Sequence, residues 1–427
     1  MNKSLKGLFL GLSTAMIAQA ASAEEYIQVG NLVDFTGSSS TVGKPYGQGK
    51  MDAMNYINEN GGINGKLLDF ETFDASYVVP RAIATYKKWV SRKKVVFIQG
   101  WGTSDTEALI SFVAKDQVPY MSASYSGHLT DPKGLGPDTK KGAPYNFFFG
   151  PSYSDGSRAL IQWAAKDWAD KGGEGQPKYV FMGDNHPFPN AQRAASLSYA
   201  KELGFEVLPD IQYGLAPGDF KAQCLTLKES GANYAFLANT SGSSISMLNS
   251  CDTVGVDVQF MSNIWGYGED VMAASGTAAD GVVWVMGAAK WGDDVPGMET
   301  VKAVSAMSDA KGGKYRAVHY LRGVCSVFFM KEAMEWADEN GGLTGPNIKE
   351  GFYQRQDWVP AGMEGVCPKA TWTEDDHRGN TLVFIYRGLV TGETSGSNVG
   401  ELMAAGTIGM VKVGESDIPR RPEWLGQ

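Results

Sequence analysis

The sequence is poor in the residues and motifs that usually carry covalent or metal chemistry. It has four histidines, His128, His186, His319 and His377, with neither HExxH nor any paired-ligand spacing, so no motif for a histidine-held metal is present. Cysteine is as scarce: Cys224, Cys251, Cys325 and Cys367 include no CxxC pair, which removes the common redox and zinc patterns. There is no GxSxG elbow, no Walker loop and no GxGxxG after a strand, so hydrolase, nucleotide and dinucleotide roles lack a motif, and no cofactor is implied. The run Glu374-Asp375-Asp376-His377 reads as a polar turn rather than a metal site. Past residue 23 no apolar stretch approaches the about 20 residues that span a bilayer. Positive charge is also in deficit, 38 Lys and Arg against 47 Asp and Glu for a net −9, which makes nucleic acid and anionic membrane poor partners.

Residues 1–23 carry Lys3 and Lys6, then an apolar stretch from Leu8 to Ala18, then Ala21-Ser22-Ala23. That is the pattern of a secretory signal peptide. The mature chain is expected to begin near Glu24, as a soluble protein exported to an oxidising compartment. There four cysteines permit two disulfides in any of three connectivities, of which Cys224 with Cys251 and Cys325 with Cys367 is the sequence-local choice. The roughly 400 remaining residues exceed what one core holds, since cores stop growing at about 250 to 300 residues, so two domains are expected.

What the chain does contain is a repeated alternation of apolar run, small-residue turn and amphipathic segment, the pattern of parallel sheets flanked by helices. Strands are expected at Ile27–Val33, Leu67–Phe73, Val95–Ile98 and Val118–Met121. A helix over Tyr46–Glu59 ends at Asn60-Gly61-Gly62, and Pro80 suits the first turn of the next. Phe147-Phe148-Phe149-Gly150-Pro151 punctuates the chain before the pattern restarts, marking a domain crossing. The second series has strands at Tyr179–Met182, Phe205–Leu208, Tyr234–Leu237 and Val258–Met261, with helices near Asn190–Leu203, Asp219–Ser230 and Ser243–Val254. After Val282, one strand, a long helix from about Arg316 to Glu339 and a Gly-rich loop are too little for a third sheet and would rejoin the first unit. Leu382–Tyr386 is a last clear strand.

In open parallel sheets ligands bind beyond the carboxyl ends of the strands. The stretch IQGWGTSDTEAL sits at such an end, with Trp101 between two glycines and hydroxyls at Thr103 and Ser104. The next strand ends Ser122-Ala123-Ser124-Tyr125-Ser126, again offering hydroxyls and an aromatic. Two plainer readings stand beside these. Ser104 with Glu107 fits a capping box, which would assign both to helix initiation, and Trp101 could be a core aromatic.

The segment VGNLVDFTGSSSTVGKPYGQGKMDAMNYINENGGINGKLLDF, followed by strands ending FIQGWGTS and YMSAS, resembles the periplasmic binding proteins for leucine, isoleucine and valine, whose relatives bind amides, urea or aromatic acids. The resemblance implies the type I periplasmic binding fold: α/β, two doubly wound parallel-sheet lobes joined by a three-crossing hinge. It places further crossings near Met286 and between Pro360 and Thr371. The division is then 24–148 with about 287–365 for one lobe, and 149–286 with about 366–427 for the other. It also implies that Thr103 and Ser126 bind a ligand carboxylate through side chains, that Ser124 does so through its backbone, and that Trp101 touches the ligand body. On the second lobe it points to Phe188, Thr240 and the vicinity of Ile264-Trp265.

The chain departs from the family at that last loop. Binders of α-amino acids carry a carboxylate there for the ammonium, whereas this chain has Ile264 and Trp265, with Glu269 a few residues on. Unless Glu269 substitutes, a ligand with an apolar or aromatic body is favoured, walled by Trp101, Tyr125, Phe188, Trp265 and Tyr267. The expected role is a monomeric periplasmic solute-binding component that closes by a hinge on a small organic ligand, an apolar or aromatic carboxylate, an amide or a branched-chain amino-acid-like molecule, and docks on the permease of an ABC importer. A sensor that presents its closed form to a receptor is the alternative. An α/β enzyme is a third reading, and no nucleophile with a base in reach can be named for it.

Overall fold

The computed structural model describes residues 25–139 and 141–427; the expected signal peptide lies outside them. The first sheet is built in chain order from β1 (Tyr26–Val33), α1 (Ser40–Glu59), β2 (Leu67–Asp74), α2 (Val79–Lys88), β3 (Phe97–Gln99), α3 (Thr103–Asp116), β4 (Tyr120–Met121) and β5 (Asn146–Phe147). Its strands lie in the order β2-β1-β3-β4-β5, all parallel. The chain then crosses to α4 (Tyr153–Asp170), β6 (Lys178–Gly183), α5 (Pro187–Asn190), α6 (Arg193–Glu202), β7 (Glu206–Val207), β8 (Ile211–Gln212), α7 (Lys221–Ser230), β9 (Tyr234–Leu237), α8 (Ser241–Val254), β10 (Gln259–Ser262), α9 (Glu269–Ser275) and β11 (Val283–Met286). It returns to pack α10 (Met298–Ser305), α11 (Val318–Glu339) and α12 (Gly345–Tyr353) with α1 on the first lobe. A third crossing leads to β12 (Leu382–Val390), α13 (Val399–Ala404) and β13 (Ile408–Asp417).

The second sheet runs β13-β12-β11-β10-β9-β6-β7, with β8 also paired to β6. It is mixed rather than wholly parallel, because β12 is antiparallel to both β11 and β13. β11 belongs to this sheet and not to the first unit; only the helices after it rejoin the first lobe. The sequence of β13, IGMVKVGESD, has no continuous apolar run to announce a strand, because Gly409, Lys412 and Gly414 interrupt its apolar residues.

Helix α1 begins six residues before the expected start, with Pro45 inside it. The Asp34 carboxylate ties the preceding turn by accepting from Gly37 N at 2.5 Å, Ser39 N at 3.0 Å and Ser39 Oγ at 2.6 Å. A Cβ on Gly43 would lie 2.0 Å from Asp34 O, so glycine is what lets the first turns lie on the end of β1. Further along, α1 and α11 meet backbone to backbone. A Cβ on Gly49 would lie 2.2 Å from Tyr320 O, and one on Gly323 would lie 2.2 Å from Tyr46 O. This reciprocal contact brings Tyr46 on α1 against the face of α11 that carries His319, Arg322 and Ser326.

Both disulfides take the sequence-local pairing. Cys224–Cys251 links α7 to α8, and Cys325–Cys367 links α11 to the segment leading into the third crossing. The Glu374–His377 run is a turn: His377 is bonded to Asn146 O and Tyr353 Oη, and Asp376 pairs with Arg378 and Arg420.

Candidate functional site

The carboxyl ends of β3, β4, β6, β9 and β10 converge between the lobes on one cavity. The first lobe contributes Ser39, Val42, Tyr77, Trp101, Gly102, Thr103 and Ala123; the second contributes Tyr153, Phe188, Thr240 and Trp265. The space open to the centre of a water molecule is about 20 Å³, little more than one water needs. The aromatic side chains close on one another. Trp265 meets Trp101 at 5.9 Å and Tyr46 at 5.4 Å between centroids, and Tyr46 meets Trp101 at 5.8 Å. These are tilted or edge arrangements, which suit ring quadrupoles. Both indole N–H groups are satisfied, Trp101 by Ser39 Oγ at 3.3 Å and Trp265 by Tyr153 Oη at 3.1 Å. Burial pushes the Tyr153 hydroxyl up to about 12, so it stays protonated.

The two glycines beside Trp101 have separate steric reasons. A Cβ on Gly100 would lie 1.9 Å from the Tyr120 ring, and one on Gly102 would lie 2.2 Å from the Tyr77 ring. Beneath them Lys50 Nζ donates to Leu32 O and Gly100 O at 2.7 and 3.0 Å, with the buried Asp105 nearby. Burial lowers Lys50 to about 7 and raises Asp105 to about 7.

Of the residues singled out in the sequence, Trp101, Thr103, Phe188, Thr240 and Trp265 share this cavity. The other hydroxyl residues do not line it. α3 starts at Thr103 after Gly102 with no side-chain cap, so Ser104 and Glu107 form no capping box, and Ser104 Oγ makes no hydrogen bond. Glu107 instead accepts from Ser126 Oγ at 2.7 Å and contacts His128 Nδ1 at 2.9 Å. A hydroxyl already on a carboxylate, with that negative charge beside it, is a poor anchor for a second carboxylate. Ser124 Oγ bonds Thr103 Oγ1 at 2.8 Å. Tyr125 stands behind the cavity, 6.0 Å from Trp265 and stacked on Phe148 at 5.3 Å. Tyr267 lies in the core of the second lobe, donating to Ala279 O at 2.6 Å and packing on Trp284.

The backbone donor that the resemblance assigned to a carboxylate, Ser124 N, is closed internally, as are the neighbouring amides of Thr103 and Ser126. Thr103 N donates to Tyr77 Oη at 2.9 Å, Ser124 N to Ser122 Oγ at 2.8 Å, and Ser126 N to Ser124 Oγ at 3.3 Å. Tyr77 reaches this place from an unusual backbone, with φ of 51° at Ser76 and 56° at itself. Non-glycine residues seldom adopt that region. Its ring also meets His186 of the second lobe at 5.1 Å. Nothing in the sequence marks Tyr77, since no pattern announces two successive left-handed residues.

Glu269 is fully buried but does not face the cavity. It accepts from Tyr315 Oη at 3.0 Å and from Val318 N at 3.4 Å, at the start of α11. Burial first, then the charge of Asp270, pushes it from 4.5 up to about 7. Its native form therefore holds a proton that the unfolded chain has released. The stabilisation is full below the unfolded value of about 4.5 and is lost as pH rises to about 7. Glu269→Gln should remove this pH dependence, at most ~3 kcal/mol between about pH 4.5 and about pH 7. Urea unfolding of both proteins across that range measures it, and equal slopes would place the charge elsewhere.

The sequence matches a family model described as periplasmic binding protein over residues 26–393. No curated protein is similar enough to match. Solved structures of similar shape include an ABC transporter substrate-binding protein from Aeropyrum pernix, 23% identical with a TM-score of 0.76, covering 94% of this chain and 98% of that one. A branched-chain amino acid ABC transporter protein from Thermus thermophilus with bound valine is 20% identical, TM-score 0.77, covering 92% and 97%. A fatty acid ABC transporter substrate-binding protein from Thermomonospora curvata is 16% identical, TM-score 0.76, covering 93% and 94%. The shape is thus shared by proteins whose names give them different ligands.

Proposed function

The chain belongs to the family of periplasmic binding proteins, and from that premise we propose that it is the solute-binding component of an ABC importer, exported to the periplasm and closing on a small ligand with a flat, apolar body. The observation that carries this is the meeting of Trp265, after β10 in one lobe, with Trp101, after β3, and Tyr46, on α1, in the other. A ligand favours the closed form only through contacts that exist there and not in the open form. Walls supplied by both lobes meet that condition. An α-amino acid fits poorly: Glu269 is committed to Tyr315 and Val318, and the loop amides already have acceptors. The work is binding and hand-over to a membrane permease, without turnover.

A thermal-shift screen over aromatic carboxylates, amides and amino acids tests this, because a ligand that binds the folded protein raises the melting temperature by mass action. Trp101→Ala should weaken the best binder by about 2 kcal/mol, roughly 30-fold in Kd. The circular dichroism spectrum should stay as in the wild type. An unchanged Kd would remove this indole from the site, and chemical conversion of any bound compound would refute the transport reading.

A further inference from the structure

Arg322, in the second turn of α11, is 0% exposed. Its Nη1 donates to Ile264 O at 2.8 Å and lies 3.1 Å from His319 Nδ1. Among the described residues Nε and Nη2 make no close hydrogen bond, the Tyr125 hydroxyl being the polar group that interacts with the guanidinium, and no carboxylate pairs with it. The contrast with other buried arginines is plain. Arg158 is paired with Asp155 at 2.9 Å, Arg378 with Asp376 at 2.7 Å, and Arg316 with Asp52 at 3.6 Å. A buried cation without a counter-ion is costly to the fold, so one kept beside a binding cleft calls for a reason.

The surroundings suit an anion. Nε and Nη2 form the side-on edge of the guanidinium, the fork that grips both oxygens of a carboxylate. The hydroxyls of Tyr125 and Tyr46, both fully buried, make no close hydrogen bond among the described residues; Tyr46 interacts with Ser326 and Tyr125 with Arg322 itself, which lies 5.2 Å from the Tyr125 ring centroid. The Trp265 indole covers the guanidinium face at 3.5 Å. Arg322 rides on α11 with the first lobe while Ile264 and Trp265 belong to the second, so separating the lobes lifts both off the guanidinium.

We propose that the ligand is an aromatic carboxylate lacking an ammonium group, and that its carboxylate is held by Arg322 through Nε and Nη2, with the Tyr125 hydroxyl as a further donor, instead of by the strand-end hydroxyls. This rests on the interlobe cleft being the ligand site. It explains together the closed loop amides, the unpaired cation and the missing partner for an ammonium.

The test is calorimetric titration of the full chain with benzoate, 4-hydroxybenzoate and cinnamate, each against its amide. The carboxylates should bind the wild type at least about 100-fold more tightly than the amides. Arg322→Gln should lose roughly 100-fold for the carboxylates and little for the amides, and Arg322→Lys, which keeps charge without the fork, roughly 10-fold. If the Gln variant does not fold, the Lys variant and the wild-type carboxylate-to-amide ratio decide. Equal binding of acids and amides, or loss in Ser126→Ala with Arg322→Gln unaffected, overturns the assignment to Arg322 while leaving the cleft as the site. Binding of none of the three acids at millimolar concentration overturns it too. In that case an amino acid or other solute that still needs Trp101 keeps the transport reading, and no solute at all removes both.

Discussion

Trp265→Ala should hold the lobes apart. The indole is 3% exposed and touches Tyr46, Trp101, Tyr125, His319 and Arg322, with its N–H on Tyr153. Truncating a buried tryptophan costs about 3–5 kcal/mol when its surroundings cannot relax. Here the surroundings are two lobes with a sheet each, and they relax by separating. The loss therefore falls on closure more than on either fold. Small-angle scattering should give a larger radius of gyration than the wild type without ligand, while the far-ultraviolet spectrum stays the same. A fall in melting temperature with an unchanged radius would make Trp265 an ordinary core residue.

Breaking the Cys325–Cys367 link by a double serine substitution should lower stability by about 4 kcal/mol, on the entropy of a loop closed over a sequence separation of 42. The Cys224–Cys251 pair, separated by 27, should cost nearly as much, about 3.5 kcal/mol. The two differ in what else they touch. Cys325 lies one turn beyond Arg322 on α11, whereas Cys224 and Cys251 join α7 to α8 in the second lobe. Loss of the first link should weaken ligand binding as well as lower the urea midpoint; loss of the second should lower the midpoint alone. Equal effects on binding, or an unmoved midpoint, would refute this.

The cavity-lining residues that the sequence singled out share one physical cause. Trp101, Thr103, Phe188, Thr240 and Trp265 all follow a strand end, and a strand end is visible as an apolar run stopped by small residues. Ser104, Ser124 and Ser126 follow strand ends too, yet do not line the cavity: Ser104 Oγ makes no hydrogen bond, and the hydroxyls of Ser124 and Ser126 serve partners on neighbouring elements. For Ser126 the acceptor is Glu107, whose spacing from Ser104 also fits a capping box in the sequence. Tyr46 and Arg322 carried no local signal. Each is a polar-tipped residue within a helix, and such residues are ordinarily found near the surface.

The sequence by itself determined the alternation of strands and helices and the two sheets, since these follow from local periodicity; it favoured the sequence-local disulfides among three connectivities, and the fold brings those pairs together. Only the tertiary structure decided which groups stand behind the aromatic walls of the cavity. Tyr46 and Arg322 are 276 positions apart by their numbers, and they are neighbours because Gly49 and Gly323 let α1 and α11 meet backbone to backbone. The same crossing buries a guanidinium with no carboxylate beside it. Whether a charge is paired depends on what the rest of the fold brings to it, and local sequence patterning does not contain that.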